Sequence, residues 1–354
     1  MSTVKIIEEL ATAFGVSGFE LNAIDVAMRY IPDSFKVVQD DLLNLYIYRA
    51  NANPDFNKRP KILISAQIDE AGLIVSNAQE NGMISFECLG KWLPSSLYSM
   101  KVNIENLDGN FVTGIITAHS SHFDENKKTP DIEKMYIDVG ASTKEAVYQK
   151  YKIAPNCPII PSTQFEQEDD VIISKALNSR LGCSALLELL RKINDESFPV
   201  EILGLISCQS ESETQFSSSI LNKMQPDLII LLDSIPADDM YEGSGIDEIK
   251  IKSGPVLRQM YNGVPASSQL CDYVLNKSKQ HEIPIQSDFN SSISTDKYND
   301  FMLDLPVPYI ALSCPVRSFY GHSNIASMLD YNRLVSMMLI ILESLTSDKI
   351  SAFQ

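Results

Sequence analysis

The chain has 354 residues, 29 Lys plus Arg against 46 Asp plus Glu, a formal charge of −17, and 44% apolar residues. That length exceeds a typical domain of roughly 150 residues and predicts two domains, or one large α/β domain with an insertion, of globular rather than disordered composition. The acidic balance, with no basic block, argues against nucleic acid or anionic membrane as a partner, and apolar runs such as 228–232 and 337–342 fall far short of the roughly 18 residues of a membrane span.

The start, Met1 to Gly15, lacks the basic-then-apolar order of a signal peptide, so the expected location is cytoplasmic. Six cysteines with no C-x-x-C pair read as buried thiols. Ile6, Ile7, Leu10 and Phe14, then Ala23, Val26, Ala27 and Tyr30, recur at helical spacing on either side of Gly15 and Gly18, which predicts two opening helices. The run from Lys61 to Gln67 predicts a strand buried on both faces, the mark of parallel α/β sheet.

From Gly72 to Pro161 the texture changes to short β pieces at 73–76, 83–89, 101–105, 111–117 and 135–139. Asn81-Gly82 and Asp108-Gly109 punctuate them, and one helical candidate lies at 143–151, so residues 72–161 are expected to form an inserted small β-barrel domain, for oligomerisation or as a lid. Beyond it the pattern alternates: helix 178–193, strand 200–207, helix 216–224, strand 228–232, helix 267–281, strand 307–312 and helix 330–347. Residues 1–71 and 162–354 together predict a doubly wound, mostly parallel α/β domain interrupted by the insertion.

In such sheets ligands bind beyond the carboxyl ends of the strands. The polar residues directly after the apolar runs are Gln67, Asp69 and Glu70, then Ser210, Glu211 and Glu213, then Asp233, and after a loop His322. Four strands so bring carboxylates or an imidazole toward one edge, as a metal or acid/base site requires. Taken singly each has a plainer reading, a solvated glutamate or an aspartate capping the next helix. No G-x-S-x-G elbow, P-loop or G-x-G-x-x-G is present.

At these positions the sequence resembles the glutamyl and tetrahedral aminopeptidases, dinuclear metallopeptidases of which some members are labelled endoglucanases. Gly15-Val-Ser-Gly-Phe-Glu20 resembles G-x-S-G-x-E, and Asp40 to Asn44 resembles D-x-x-G-N with Leu43 for glycine. Ser65-Ala-Gln-Ile-Asp-Glu-Ala-Gly resembles S-A-H-x-D-E-I-G, and Lys175-Ala-Leu-Asn-Ser-Arg-Leu-Gly-Cys183 resembles K-A-L-D-x-R-x-G-C. Pro315-Val-Arg317 to His322-Ser323 is similar to P-x-R-Y-x-H-S with two extra residues before the histidine.

The resemblance implies a zinc-aminopeptidase type fold, two zinc or cobalt ions, and dimers that assemble into a dodecamer. Carried over residue by residue, it places Gln67 at the first metal-binding His, Asn178 at the bridging Asp and Ser210 at the general-base Glu. Glu211, Asp233 and His322 stand at retained metal positions, and Asp69 at the residue that orients the first His. Two dications carry +4 against −2 from Glu211 and Asp233. Unit charges near 4 Å repel by roughly 4 kcal/mol at an effective dielectric of 20, so two uncompensated dications cost on the order of 16 kcal/mol before ligand bonds.

The expectation is therefore a family member that has lost dinuclear peptidase activity, holding no metal or a single weakly bound one. Its partners would be further copies of itself, an active paralogue, or a peptide or small molecule in the cleft. The alternative is a peptidase or glycosidase-like hydrolase with a reduced or absent metal site, using Glu211 with Glu213 or Asp233 as its acid/base pair.

Overall fold

The structure is a computed structural model that describes residues 2–49, 59–118, 129–194, 198–212, 224–237, 239–240, 249–261, 264–289 and 307–353. Helices α1 (Thr3–Thr12) and α2 (Leu21–Tyr30) open the chain and bury Ile6, Ile7, Leu10, Ala23, Ile24 and Ala27. The hairpin β1 (Phe35–Gln39) and β2 (Leu45–Arg49) turns through Leu43, whose φ of 66° is left-handed, where the resembled motif carries a glycine. Asp40 holds that turn by accepting the backbone N–H groups of Leu42 and Asn44.

Strand β3 (Lys61–Gln67) leads directly into a closed barrel. Its strands are β4 (Gly72–Ala78), β5 (Ile84–Leu89), β6 (Lys101–Glu105), β7 (Phe111–Ala118), β8 (Met135–Asp138) and β9 (Pro158–Pro161), ordered β4-β5-β8-β7-β6-β9 around the circumference. Alternate side chains such as Leu73, Val75, Ile84, Val102, Ile104, Ile116, Ile137 and Ile159 fill the barrel with a core of its own. Short helices α3 (Pro94–Leu97) and α4 (Lys144–Gln149) cover it; Thr143 caps the second by accepting the Ala146 N–H.

The chain re-enters the large sheet through β10 (Glu166–Glu168) and β11 (Val171–Ser174), followed by helix α5 (Leu177–Lys192) and β12 (Glu201–Ser207). Next come β13 (Leu228–Pro236), β14 (Val256–Arg258), β15 (Met260–Tyr261), β16 (Val264–Pro265), helix α6 (Ser268–Gln280) and β17 (Gln286–Asp288). Strands β18 (Tyr309–Arg317) and β19 (Asn324–Ser327) and helices α7 (Met328–Ser344) and α8 (Ser347–Ser351) complete the fold. The main path of the sheet is β1-β2-β12-β3-β13-β18-β19-β11-β10.

At its centre β12, β3, β13 and β18 run parallel, and antiparallel strands flank them on both sides. Ile62, Ile64, Ile202, Ile230, Leu232, Ile310 and Leu312 face the helical side with Leu181, Leu186 and Leu189 of α5. The alternate residues Leu63, Leu203, Leu205, Ile229, Leu231, Tyr309 and Ala311 form a second cluster on the opposite side. α5 lies close against β13, because a Cβ at Gly182 would fall 2.3 Å from the Leu232 carbonyl oxygen.

Among the described residues no helix is long and apolar enough to cross a membrane. Of the expected helix at 216–224, residues 216–223 lie outside the described residues.

Candidate active site

β13 and β18 continue past their apolar runs to Pro236 and Arg317 because the two strands pair in parallel register through Asp233↔Ser313 to Pro236↔Val316. Asp233 therefore lies within its strand rather than beyond the end of it. Ser207 pairs with Gln67, and the pairing of Leu231 with Ser65 puts Asp233 level with Gln67 two residues on. Neighbouring strands are about 4.8 Å apart, so Ser207, Gln67, Asp233 and Ser313 form one row across the sheet. Their parity puts this row on the face opposite α5.

Beyond that row, Gln209 adopts a left-handed φ of 56° and turns the chain into the 3-10 segment Ser210–Ser212. The Ser210 hydroxyl lies 3.2 Å from that of Ser207. Asp69 Oδ2 accepts the Glu211 backbone N–H at 2.6 Å and the Ser17 hydroxyl at 2.5 Å. The Glu211 carboxylate points toward the barrel, where a Cβ at Gly90 would come within 2.7 Å of Oε2.

Asn178 and His322 meet elsewhere on this edge, at a narrow cavity of about 20 Å³, room for roughly one water, with Glu70, Lys91, Trp92, Lys175, Phe319 and Tyr320 also lining it. Ala176 (φ 57°) precedes Asn178 and Ser318 (φ 54°) opens the loop to His322. Left-handed residues so stand just before three of the site segments, each a strain of order 1–3 kcal/mol that the surrounding structure must hold. His322 is exposed, with Nδ1 3.0 Å from the Ser323 hydroxyl. Glu213 lies outside the described residues.

Three features of the site have roles that the sequence pattern did not assign. Lys175 donates to both oxygens of Glu70 and to the Ala13 carbonyl, while Arg180 pairs with Glu70 and donates to Leu10, Ala13, Gly15 and Ile68 carbonyls. Burial, with the Arg180 charge behind it, pulls the Lys175 ammonium down to about 8. Glu20 accepts the Gly18 and Gln209 N–H groups through Oε1, and burial raises its carboxyl above the ordinary range, with the Asp69 charge adding to the rise.

The third is at Asp233. Its Oδ2 accepts the Tyr261 hydroxyl at 2.9 Å and lies 3.8 Å from Nη1 of Arg258, itself 1% exposed. A charged residue in the strand Val256-Leu257-Arg258, just after Gly254-Pro255, was the available signal. Among the described residues no three or more His, Cys, Asp or Glu side chains are grouped closely enough to hold a metal ion.

Comparison with known proteins supplies the family. Residues 49–337 match the family model of the M42 glutamyl aminopeptidases. The chain belongs to that family. FrvX of Escherichia coli (strain K12), itself assigned only provisionally as an aminopeptidase, is 26% identical over 99% of this chain and 98% of its own. The crystal structure of the TET aminopeptidase from the marine sediment archaeon Thaumarchaeota archaeon SCGC AB-539-E09 superposes with a TM-score of 0.88 at 25% identity, over 99% of both chains. The TET1 peptidase of Pyrococcus horikoshii, which assembles into a tetrahedron or a large octahedral shell, is similar in fold with a TM-score of 0.81 at 20% identity, over 97% of this chain and all of that one. In this M42 chain Lys175, Glu70 and Arg180 form one buried ion cluster that fixes the start of α5 to the loops after β3 and α1.

Proposed function

We propose that this M42 protein keeps the peptidase fold and self-assembly of its family but has lost dinuclear-metal hydrolysis, and binds a peptide or small molecule in the old cleft as a non-catalytic subunit. The observation that carries this reading is the state of Asp233. A carboxylate that accepts a tyrosine hydroxyl and lies 3.8 Å from an arginine is partly compensated by the protein's own groups, so it has less to offer a cation. Gln67 and Asn178 are neutral amides, and an amide is a weak ligand for zinc. On this donor set the residues do not fit a pair of divalent ions; at most one ion binds weakly, at Glu211 or His322.

Ser210 cannot take over as base. Its hydroxyl sits against Ser207 rather than an imidazole; a hydroxyl cannot usefully accept a proton near neutral pH, and with no base to take its own proton it does not attack a carbonyl. Lys91, Trp92, Phe319 and Tyr320 line the one-water cavity beside Asn178 and His322, so a peptide or small molecule would contact them only by widening it.

Self-assembly up to a dodecamer built from dimers is supported by the likeness to shell-forming TET peptidases and by Leu107, Phe111 and Ile115, which the barrel module 72–161 leaves more than half exposed. Co-assembly with an active paralogue would use the same faces. We place the protein in the cytoplasm, where six unpaired cysteines are at home. The test is hydrolysis of aminoacyl anilides and short peptides with added Zn²⁺ or Co²⁺: no release is expected, and metal-dependent release at rates ordinary for an aminopeptidase overturns the reading. Glycosidase substrates run beside them address the alternative hydrolase.

A further inference from the structure

We infer that Arg258 supplies a built-in positive charge at the Asp233 end of the site, in place of a bound divalent cation. The inference rests on the functional reading above and gives it a physical device. β14 pairs with β17 so that Arg258 stands opposite Asp288, and with β18 so that it stands opposite Ala311. Beside Arg258 that face of β18 carries Ala311 and Ser313, small enough for a long side chain to cross the strand toward Asp233 on β13.

The guanidinium does cross it. Nη1 lies 3.8 Å from Asp233 Oδ2 and Nε lies 3.9 Å from Asp288 Oδ2. Its carbon sits 4.3 Å from the centroid of the Tyr261 ring, which is itself fully buried and donates its hydroxyl to the same Asp233 oxygen. One side chain is thus placed among two carboxylates and an aromatic face, all less than a tenth exposed. An arginine keeps its charge at any working pH and presents it in a fixed planar fork, which is the behaviour wanted of a permanent counter-ion.

A divalent ion and this guanidinium compete for the same carboxylates. While Arg258 is in place, Asp233 is expected to bind no ion; removing it takes the guanidinium charge away from Asp233 and Asp288, and a cation can supply a positive charge in its stead. The test compares metal-stripped wild type and Arg258→Met by thermal melting with and without 1 mM Mn²⁺ or Zn²⁺. Wild type should not respond through Asp233. Arg258→Met should melt lower and recover by at least ~3 °C on adding the ion, a gain that Arg258→Met/Asp233→Asn lacks.

If Arg258→Met fails to fold on its own, the same comparison is made on refolding yield with and without Mn²⁺, and Arg258→Lys, which keeps the charge, should remain ion-independent. Absence of any ion response in Arg258→Met, or an Asp233-dependent ion response in wild type, overturns the inference. Peptidase release by the wild-type preparation would instead sink the functional reading, whatever the melting shows.

Discussion

The carboxylate of Asp69 accepts the backbone N–H of Glu211 across 2.6 Å, tying the residues after β3 to the turn that carries Ser210 and Glu211. The resembled family uses this position to orient a histidine, and here the side chain positions a turn. Two hydrogen bonds to a buried ionised group, from Glu211 and from Ser17, give the contact its strength. Asp69→Ala should lower stability by on the order of 3 kcal/mol, read from urea unfolding, because both donors lose a charged acceptor away from water. A loss below about 0.5 kcal/mol would show that the turn does not depend on it.

The Glu70, Lys175 and Arg180 cluster is buried on all sides. Lys175→Met removes one of two cations around Glu70 and leaves it to Arg180 alone, so the loss should stay below the roughly 3–5 kcal/mol of a buried pair broken outright. Because the ammonium also holds the Ala13 carbonyl, hydrogen exchange should accelerate at the α1 end as well as at the start of α5. Exchange unchanged at α1 would separate that loop from the cluster.

Burial raises the Glu20 carboxyl above its ordinary 4.5. In the pH range between 4.5 and the raised value the folded chain holds a proton that the unfolded chain has lost, so this group's contribution to stability falls as pH rises through that window and stays lost above it. Glu20→Gln keeps an oxygen for the Gly18 and Gln209 N–H groups and removes the titration. The variant should lose less stability than wild type as the pH rises from 4 to 8, measured as urea midpoints. Parallel pH profiles for the two proteins would assign the effect elsewhere.

Gly182 lets α5 rest on β13, one residue from Asp233. A methyl group there meets the Leu232 carbonyl at 2.3 Å, backbone against backbone, with no flexible side chain to yield. Gly182→Ala should cost about 1–3 kcal/mol despite alanine's better helix propensity. A stabilised variant would mean that the helix can lift from the sheet at little cost.

Much of the fold was legible because its signals are local. The buried run Lys61 to Gln67, the helix of Leu177–Lys192 and the barrel strand Lys101–Glu105 were all readable from apolar spacing. Pro158–Pro161 was not: prolines at both ends argue against a strand, yet it closes the barrel between β4 and β6, where tertiary pairing outweighs the local preference. Leu43 shows a similar override, keeping a left-handed turn without glycine because Asp40 holds the backbone on both sides. At the site, spacing located Gln67, Asp69, Ser210 and Glu211 on adjoining segments. It could not show that Arg258 of β14 and Tyr261 of the separate β15–β16 pair would reach Asp233, because the arginine's approach depends on the register of β14 against β18.

The most direct measurement of the central claim is metal stoichiometry on the purified, undenatured protein, by elemental analysis after equilibrium dialysis against micromolar Zn²⁺ and Co²⁺. With Asp233 engaged by Arg258 and Tyr261 and with amides at positions 67 and 178, the account predicts well under one tightly held ion per subunit. Two ions per subunit that survive dialysis against buffer, and that disappear together in Asp233→Asn, would contradict it.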